Sequence, residues 1–256
     1  MRIDLNADMG EGYGAYRIGQ DEKLLHIVTS ANVACGVHGG DATIMQKLAA
    51  LAKEHGVGLG AHPGFDDLWG FGRRAVHMSA RDLEYMVAYQ IGALQALAAY
   101  SGEPLRHVKP HRALYNMAAN DEGYARAIAR AAKTIDAKLI YVGMPASEMQ
   151  KAADNEGLAF AREGFCDRLY RDDGSLTPRS EKGAVIDDPE AAAKQALSMA
   201  REGEVMTGTG ARIKLKVDTL CIHGDEPGAV AVAAAVRRAL ERAGIELRAM
   251  MPSSPD

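Results

Sequence analysis

The sequence offers little to a disulfide, a membrane or a polyanion. It has 3 cysteines, Cys35, Cys166 and Cys221, in 256 residues. An odd number without CxxC spacing supports neither a disulfide framework nor a zinc ribbon and fits a reducing compartment. No apolar run approaches the roughly 20 residues that cross a bilayer, so no membrane association is expected. The opening MRIDLNADMGEG lacks the charged start and apolar stretch of a secretory leader, so a cytoplasmic location is expected. An excess of one charge is missing as well. The 30 basic and 34 acidic residues give a formal charge of -4 and are spread along the chain. That balance leaves no electrostatic footprint for nucleic acid or an acidic membrane and directs attention to a small-molecule partner. With no Pro/Ser-rich linker, residues 1–256 read as one domain.

Several catalytic motifs are also absent. There is no G-x-x-x-x-G-K-[ST], and the run from Gly10 to Gly14 does not match G-x-G-x-x-G, so an ATP site is expected to be of another type or in another chain. The same run leaves open an anion cradle of backbone amides beside a plain turn. Without G-x-S-x-G a serine elbow is not expected. Without HxxxH or HExxH, any metal ligands must come from separate strands. Cys35, near His38, leaves open a thiolate role beside that of a buried packing thiol.

What is present is alternation. Short aliphatic and β-branched runs follow longer Ala/Leu/Glu/Lys-rich stretches of helical period, the pattern of repeated βα units. Seven strands are predicted: IDLNA, SANVA, GVGLGA, RHVK, KLIYVG, LAFARE and TLCIH. Helices are predicted over 41–55, 79–101, 123–134, 147–156, 189–201 and 228–243, several opened by Ser, Asp or Pro. The economical architecture is an α/β fold, a seven-stranded parallel β/α barrel of the TIM-like kind, a size of chain that such barrels commonly take.

Nearly every strand runs into a polar or glycine-rich cluster, and in a β/α barrel the C-terminal strand ends form the reactive face. The clusters hold Asn6, Asp8 and Glu11; His38 and Asp41; His62; Lys109 and His111; Arg162 and Glu163; and His223, Asp225 and Glu226. Each has a plainer alternative: Asp8 and Glu11 as turn caps, His38, His62, His111 and His223 as histidines bonded to backbone carbonyls. Their recurrence at equivalent positions favours a site. His26, His55, His77 and His107 lie within or before regular elements and read as structural. Two chemistries fit the rest. One is metal-assisted hydrolysis, with Asp8, His38, His62 and His111 as candidate ligands. The other is metal-free general acid/base attack, with an aspartate or histidine deprotonating water and Lys109 or a protonated histidine steadying the oxyanion.

Two loops stand out. Residues 64–74 form a glycine-punctuated stretch that ends in Arg73 and Arg74 and is expected to cover a substrate. Residues 163–180 form a long charged connection in which Arg168 and Arg179 are expected either to clamp a carboxylate or phosphate or to carry solvated charge.

Taken together, IDLNADMGEGYG, SANVACGVHGGD, GAHPGF, GFGRR, YQIGAL, VKPHRALYN, EGFCDRLY, LTPRS and CIHGDEPGAV resemble the signature blocks of the LamB/YcsF family, the A subunits of 5-oxoprolinase, across almost the whole chain. The resemblance implies a barrel related to polysaccharide deacetylases and a hydrolase activity in which 5-oxoproline, ATP and water become L-glutamate, ADP and phosphate. It also implies partner subunits B and C. Two departures occur: Arg112 stands where the family reads glycine after the histidine of VKPHGALYN, and Val37 and Gly39 replace the residues of ACGFHAGD. Combined with the rim residues, the resemblance implies catalytic Asp8, His62, Lys109, His111 and His223, and substrate-binding or orienting Asn6, Glu11, His38, Asp41, Arg73, Arg168, Arg179 and Asp225. A divalent metal and self-association are left open. The alternatives are a stand-alone metal-dependent amide hydrolase of deacetylase type and a non-catalytic substrate carrier.

Overall fold

The computed structural model describes residues 1–225 and 228–250; Glu226 of the last rim cluster lies outside them. The chain opens with β1 (Arg2–Met9), α1 (Asp21–Leu25), β2 (Ser30–Ala34), α2 (Ala42–His55), β3 (Gly58–His62), α3 (Ala80–Ala99) and β4 (Leu105–Val108). It continues with α4 (Arg112–Asn120), α5 (Glu122–Ile135), β5 (Ile140–Gly143), α6 (Glu148–Glu156), β6 (Phe160–Phe165) and α7 (Pro189–Leu197). Then come β7 (Glu204–Met206), β8 (Arg212–Lys214), β9 (Thr219–Ile222), α8 (Ala229–Arg242) and β10 (Glu246–Leu247). Strands β1 to β6 and β9 pair in parallel, and the β1–β9 pairing closes them into the seven-stranded barrel that the alternation predicted. The short β10 adds to the start of β1, while β7 and β8 make a separate antiparallel hairpin.

The helices start where the sequence provides caps. The carboxylates of Asp41, Asp121 and Asp188 and the hydroxyls of Ser79 and Ser147 accept from the first free amides of α2, α5, α7, α3 and α6. Four features went unread in the sequence: α1, α4, the β7–β8 hairpin and the short β10. The predicted helix over 189–201 holds its α form only to Leu197; Ser198–Glu202 widens into a π turn before Gly203 ends it at φ 64°.

Strand alternation sorts the residues. In β1 the odd positions Ile3, Leu5, Ala7 and Met9 join the main apolar core, while Asp4, Asn6 and Asp8 share the opposite face with polar partners from neighbouring strands. That inner face is a hydrogen-bonded column. At its base Asp4 accepts from Ser30 Oγ at 2.6 Å and Thr219 Oγ1 at 2.5 Å. One layer up, Asn6 Nδ2 donates to Thr219 Oγ1 at 2.6 Å, and Asn32 Nδ2 donates to both Asn6 Oδ1 at 2.7 Å and Asp8 Oδ1 at 2.9 Å. His107 Nε2 meets Asn32 Oδ1 at 2.7 Å. Its ring fills the place of a side chain on β3: a Cβ at Gly60 would lie 2.1 Å from that nitrogen, so only glycine fits there.

Burial, reinforced by the Lys109 charge, pushes the His107 imidazole down to about 3. The neutral ring is the folded form, whereas the unfolded chain protonates near the ordinary 6.5. The stabilisation is therefore full above the unfolded value and is lost as pH falls through 6.5 towards 3. Urea unfolding at about pH 7.5 and pH 5 should show a larger loss of stability for the natural chain than for His107→Gln. Equal losses would remove this account.

Candidate functional site

At the C-terminal end of the barrel the column ends in charge. Lys109, the residue after β4, is buried to 2 % exposure and places Nζ 2.9 Å from Asp8 Oδ1, 2.8 Å from Glu163 Oε1 and 3.1 Å from Cys221 Sγ. Burial alone would favour the free amine; Asp8, Cys221 and Glu163 outweigh it and raise the ammonium well above its ordinary value. Burial likewise opposes ionisation of Asp8, but His62 and Lys109 hold its carboxyl well below the usual range. The other Asp8 oxygen faces His62 Nε2 at 3.5 Å.

Beside Asp8 lies a second cluster. His62 Nδ1 contacts the Lys109 carbonyl at 2.7 Å, and His111 Nε2 contacts the Phe71 carbonyl at 2.9 Å. A carbonyl only accepts, so each of these nitrogens carries the ring's proton, and the other nitrogen of each ring is left with a lone pair. Those two lone-pair nitrogens, His62 Nε2 and His111 Nδ1, face each other at 2.9 Å. Such a contact is repulsive unless a cation, either a proton or a metal ion, lies between or beside them. Glu11 Oε1 stands 3.2 Å from His111 Nδ1 and 3.7 Å from His38 Nε2. His38 stacks on His111 with ring centres 3.7 Å apart, and neither of its buried nitrogens has a hydrogen-bond partner among the described residues. Glu11, His38, His62 and His111 offer ligand atoms within 4.8 Å of one another. Burial opposes the charge of Glu11, yet His111 and His38 hold it ionised below its ordinary range, while burial pushes His38 down to about 4. A carboxylate among neutral imidazoles is a donor set for a divalent transition metal.

Across the mouth, His223 Nδ1 donates to Asp167 Oδ2 at 2.9 Å, which leaves Nε2 as the free nitrogen of a ring stacked on Phe165. His223, Asp8, His62 and Lys109 line a cavity of about 1150 Å³ together with Arg73, Arg112, Arg168 and Arg179.

The sequence-predicted residues divide by place. Asp8, His62, Lys109, His111, His223, Glu11 and His38 converge at the barrel end. Asn6 lies one layer below, fully buried in the column. Asp41 stands apart as the cap of α2, one oxygen accepting from Ile44 N at 2.9 Å and the other from Gly14 N at 2.8 Å. Arg168 lines the cavity but also staples its own segment, donating to the carbonyls of Thr177 at 2.6 Å and Ala184 at 3.2 Å. Cys35 donates to the Val33 carbonyl, and burial pushes its thiol up to about 12, so it packs rather than reacts. Loop 64–74 is fastened: Asp67 holds Arg74 and the amide of Gly70, and Arg73 reaches Asp225 at 3.1 Å. Sequence reasoning missed Asp167 and Cys221. For Cys221 the signal was there, since strand alternation in TLCIH puts it on the face of His223; for Asp167 none was.

Ancestry is settled by a match along nearly the whole chain: residues 3–254 fit the LamB/YcsF family model. The chain belongs to the LamB/YcsF family. It is 52% identical over 245 residues to the A subunit of 5-oxoprolinase from Rhodopseudomonas palustris strain BisB5, spanning 95% of this chain and 96% of that one. It is similar to the lactam utilization protein of Thermus thermophilus, at 49% identity and a TM-score of 0.94 over 98% of this chain and 100% of that structure. A peptidoglycan N-acetylglucosamine deacetylase catalytic domain from Eubacterium rectale shares the fold alone, with 12% identity and a TM-score of 0.51 over 99% of this chain and 90% of that one. Among the described residues no helix is long and apolar enough to cross a membrane.

Proposed function

We propose that this LamB/YcsF chain is the A subunit of an ATP-dependent 5-oxoprolinase, opening the lactam of 5-oxo-L-proline to L-glutamate in the cytoplasm with partner subunits B and C. The observation that carries this reading is the 52% identity, along nearly the full length, to a protein of that name, on a barrel whose mouth holds a histidine beside a carboxylate, a buried cation and a second, carboxylate-backed histidine. Hydrolysis of a lactam needs a proton removed from water, a charge held on the carbonyl oxygen and a proton delivered to the leaving nitrogen. His62 Nε2 takes the first proton, with Asp8 beside it to hold water and to balance the imidazolium. Lys109 supplies a fixed positive charge next to the carbonyl. His223, oriented by Asp167 and acting in its doubly protonated form, gives its Nε2 proton to the ring nitrogen as the C–N bond breaks. ATP makes the ring opening downhill by transferring its γ-phosphoryl group to the lactam oxygen, which later leaves as phosphate; with no phosphate-binding loop in this sequence, that transfer is assigned to the partner subunits. A mixture of the purified chain with its partner subunits should convert 5-oxoproline to glutamate with ATP hydrolysed in step. Absence of both products from the full mixture would sink this assignment.

The facing lone pairs favour a second reading, in which the same site is that of a metal-dependent amide hydrolase. Glu11, His38, His62 and His111 are the residues that would hold the ion, and it would polarise the amide carbonyl. Chelator-stripped protein titrated with Zn²⁺ in a calorimeter should take up one ion and gain thermal stability. The combined Glu11→Gln, His38→Gln variant should bind at least about tenfold more weakly, since losing even a residue that only supports a metal ligand costs that much. Uptake equal in the two proteins would discard the metal site.

A further inference from the structure

Arg168 stands just past β6 and is 7% exposed, yet among the described residues no carboxylate lies within ion-pair reach of its guanidinium. The acids on this side of the mouth are engaged elsewhere: Asp167 holds His223, and Asp225 holds Arg73 and Arg112. Burial, and then the Arg179 and Arg112 charges beside it, bring the guanidinium down to about 10, so it stays cationic at neutral pH. A buried charge without a counter-ion is costly, and the cost is met when a ligand brings the opposite sign. Nε and Nη2 are tied to the Ala184 and Thr177 carbonyls, which fixes the plane of the group and leaves Nη1 as the nitrogen with no bond among the described residues. Arg168 lines the cavity shared with Asp8, His62, Lys109 and His223. Basic side chains outnumber acidic ones more than two to one in that lining, although the whole chain has a formal charge of -4. The cavity volume of about 1150 Å³ is also far more than one bare lactam ring fills.

We propose that Arg168 is the anchor that holds the phosphoryl group of the activated lactam while water opens the ring. A phosphoryl group carries close to two negative charges at neutral pH and presents acceptor oxygens to the N–H groups of Nη1. Arg168 makes and breaks no bond: it keeps the group that arrives on the lactam oxygen until that group leaves as phosphate. This inference rests on the proposed lactam-opening activity and adds where the activated substrate is held.

The probes are inorganic phosphate and 5-oxoproline, titrated calorimetrically into the full chain at constant ionic strength. Phosphate should bind the natural chain and raise its thermal midpoint. Arg168→Met should bind phosphate about 10- to 100-fold more weakly, the loss expected for a charge-assisted hydrogen bond, and 5-oxoproline as before. Because Arg168 also ties two carbonyls, Arg179→Met is the check that leaves those ties in place: losing the neighbouring charge should weaken phosphate at least about threefold. In the assembled enzyme Arg168→Met should release more ADP than glutamate, since the phosphorylated lactam escapes before its ring opens. Failure of the natural chain to bind phosphate, phosphate binding unchanged in either variant, or ADP and glutamate still released one for one overturns the proposal. So does an equal loss of phosphate and 5-oxoproline in Arg168→Met, which would make the side chain a carboxylate holder or a staple alone. Should Arg168→Met fail to fold, Arg179→Met decides. If the natural complex forms no glutamate, the activity assignment falls, and the phosphate titrations still decide this site.

Discussion

Asp8→Asn is expected to lower turnover of 5-oxoproline by the assembled enzyme about a thousandfold, the range lost when a proton-transfer site is disabled. The carboxylate meets the base and the fixed cation at once, and is itself held from below: Lys109 at 2.9 Å, His62 at 3.5 Å and Asn32 at 2.9 Å. The amide keeps the size and loses the charge. His62 then lacks the neighbour that steadies its protonated form, and among the described residues Lys109 keeps only Glu163 as an ion-pair partner. The loss should fall on kcat, because the interaction matters most when His62 becomes an imidazolium. A variant retaining more than about a tenth of the natural kcat would place the base elsewhere.

The second large effect is on stability. Lys109→Met keeps the length of the side chain and removes a cation buried between Asp8 and Glu163. Breaking a buried pair from one side leaves uncompensated charge and costs about 3–5 kcal/mol. Here two carboxylates are left, so the urea midpoint should fall by an amount at the upper end of that range. Adding Glu163→Gln to Lys109→Met should recover part of it, since one stranded charge becomes neutral. If Lys109→Met unfolds at the natural midpoint, or if the double variant is less stable than the single one, the ion triad does not hold the barrel end as described. Activity should vanish in Lys109→Met regardless, because in the proposed mechanism the same ammonium stands next to the substrate carbonyl.

Much of the barrel was legible because its strands obey a simple rule. RIDLNADM alternates cleanly, and Asp41, Ser79, Asp121, Ser147 and Asp188 announce the helices that follow them. The histidines at the strand ends were legible for the same reason: a barrel has one reactive face, and His62 ends β3 while His223 directly follows β9 on it. Position along the axis was not. Asn6 and Asp8 differ by one layer, and only the closed sheet shows that Asn6 bonds Asn32 and Thr219 below the cavity. Asp41 looked like its neighbours in sequence, but capping turns it into the backbone of α2. Helix α4 was hidden because Pro110 and His111 read as an irregular exit from β4, while Arg112 carries a backbone angle that its side chain does not advertise. Asp167 lay within a charged connection, and nothing local distinguishes a carboxylate that orients His223 from one that faces water.

The polar column beneath the site has a consequence for how this protein can change. Asp4, Asn6, Asn32, Thr219 and His107 each serve neighbours on another strand, so a single replacement strands a buried partner, and such positions can drift only in compensating pairs. The loops above are joined mainly by ion pairs such as Arg73 and Arg112 on Asp225, which can be exchanged one at a time. New substrates are thus expected to be acquired from the mouth downward, over a floor that stays fixed while the selectivity above it is rewritten.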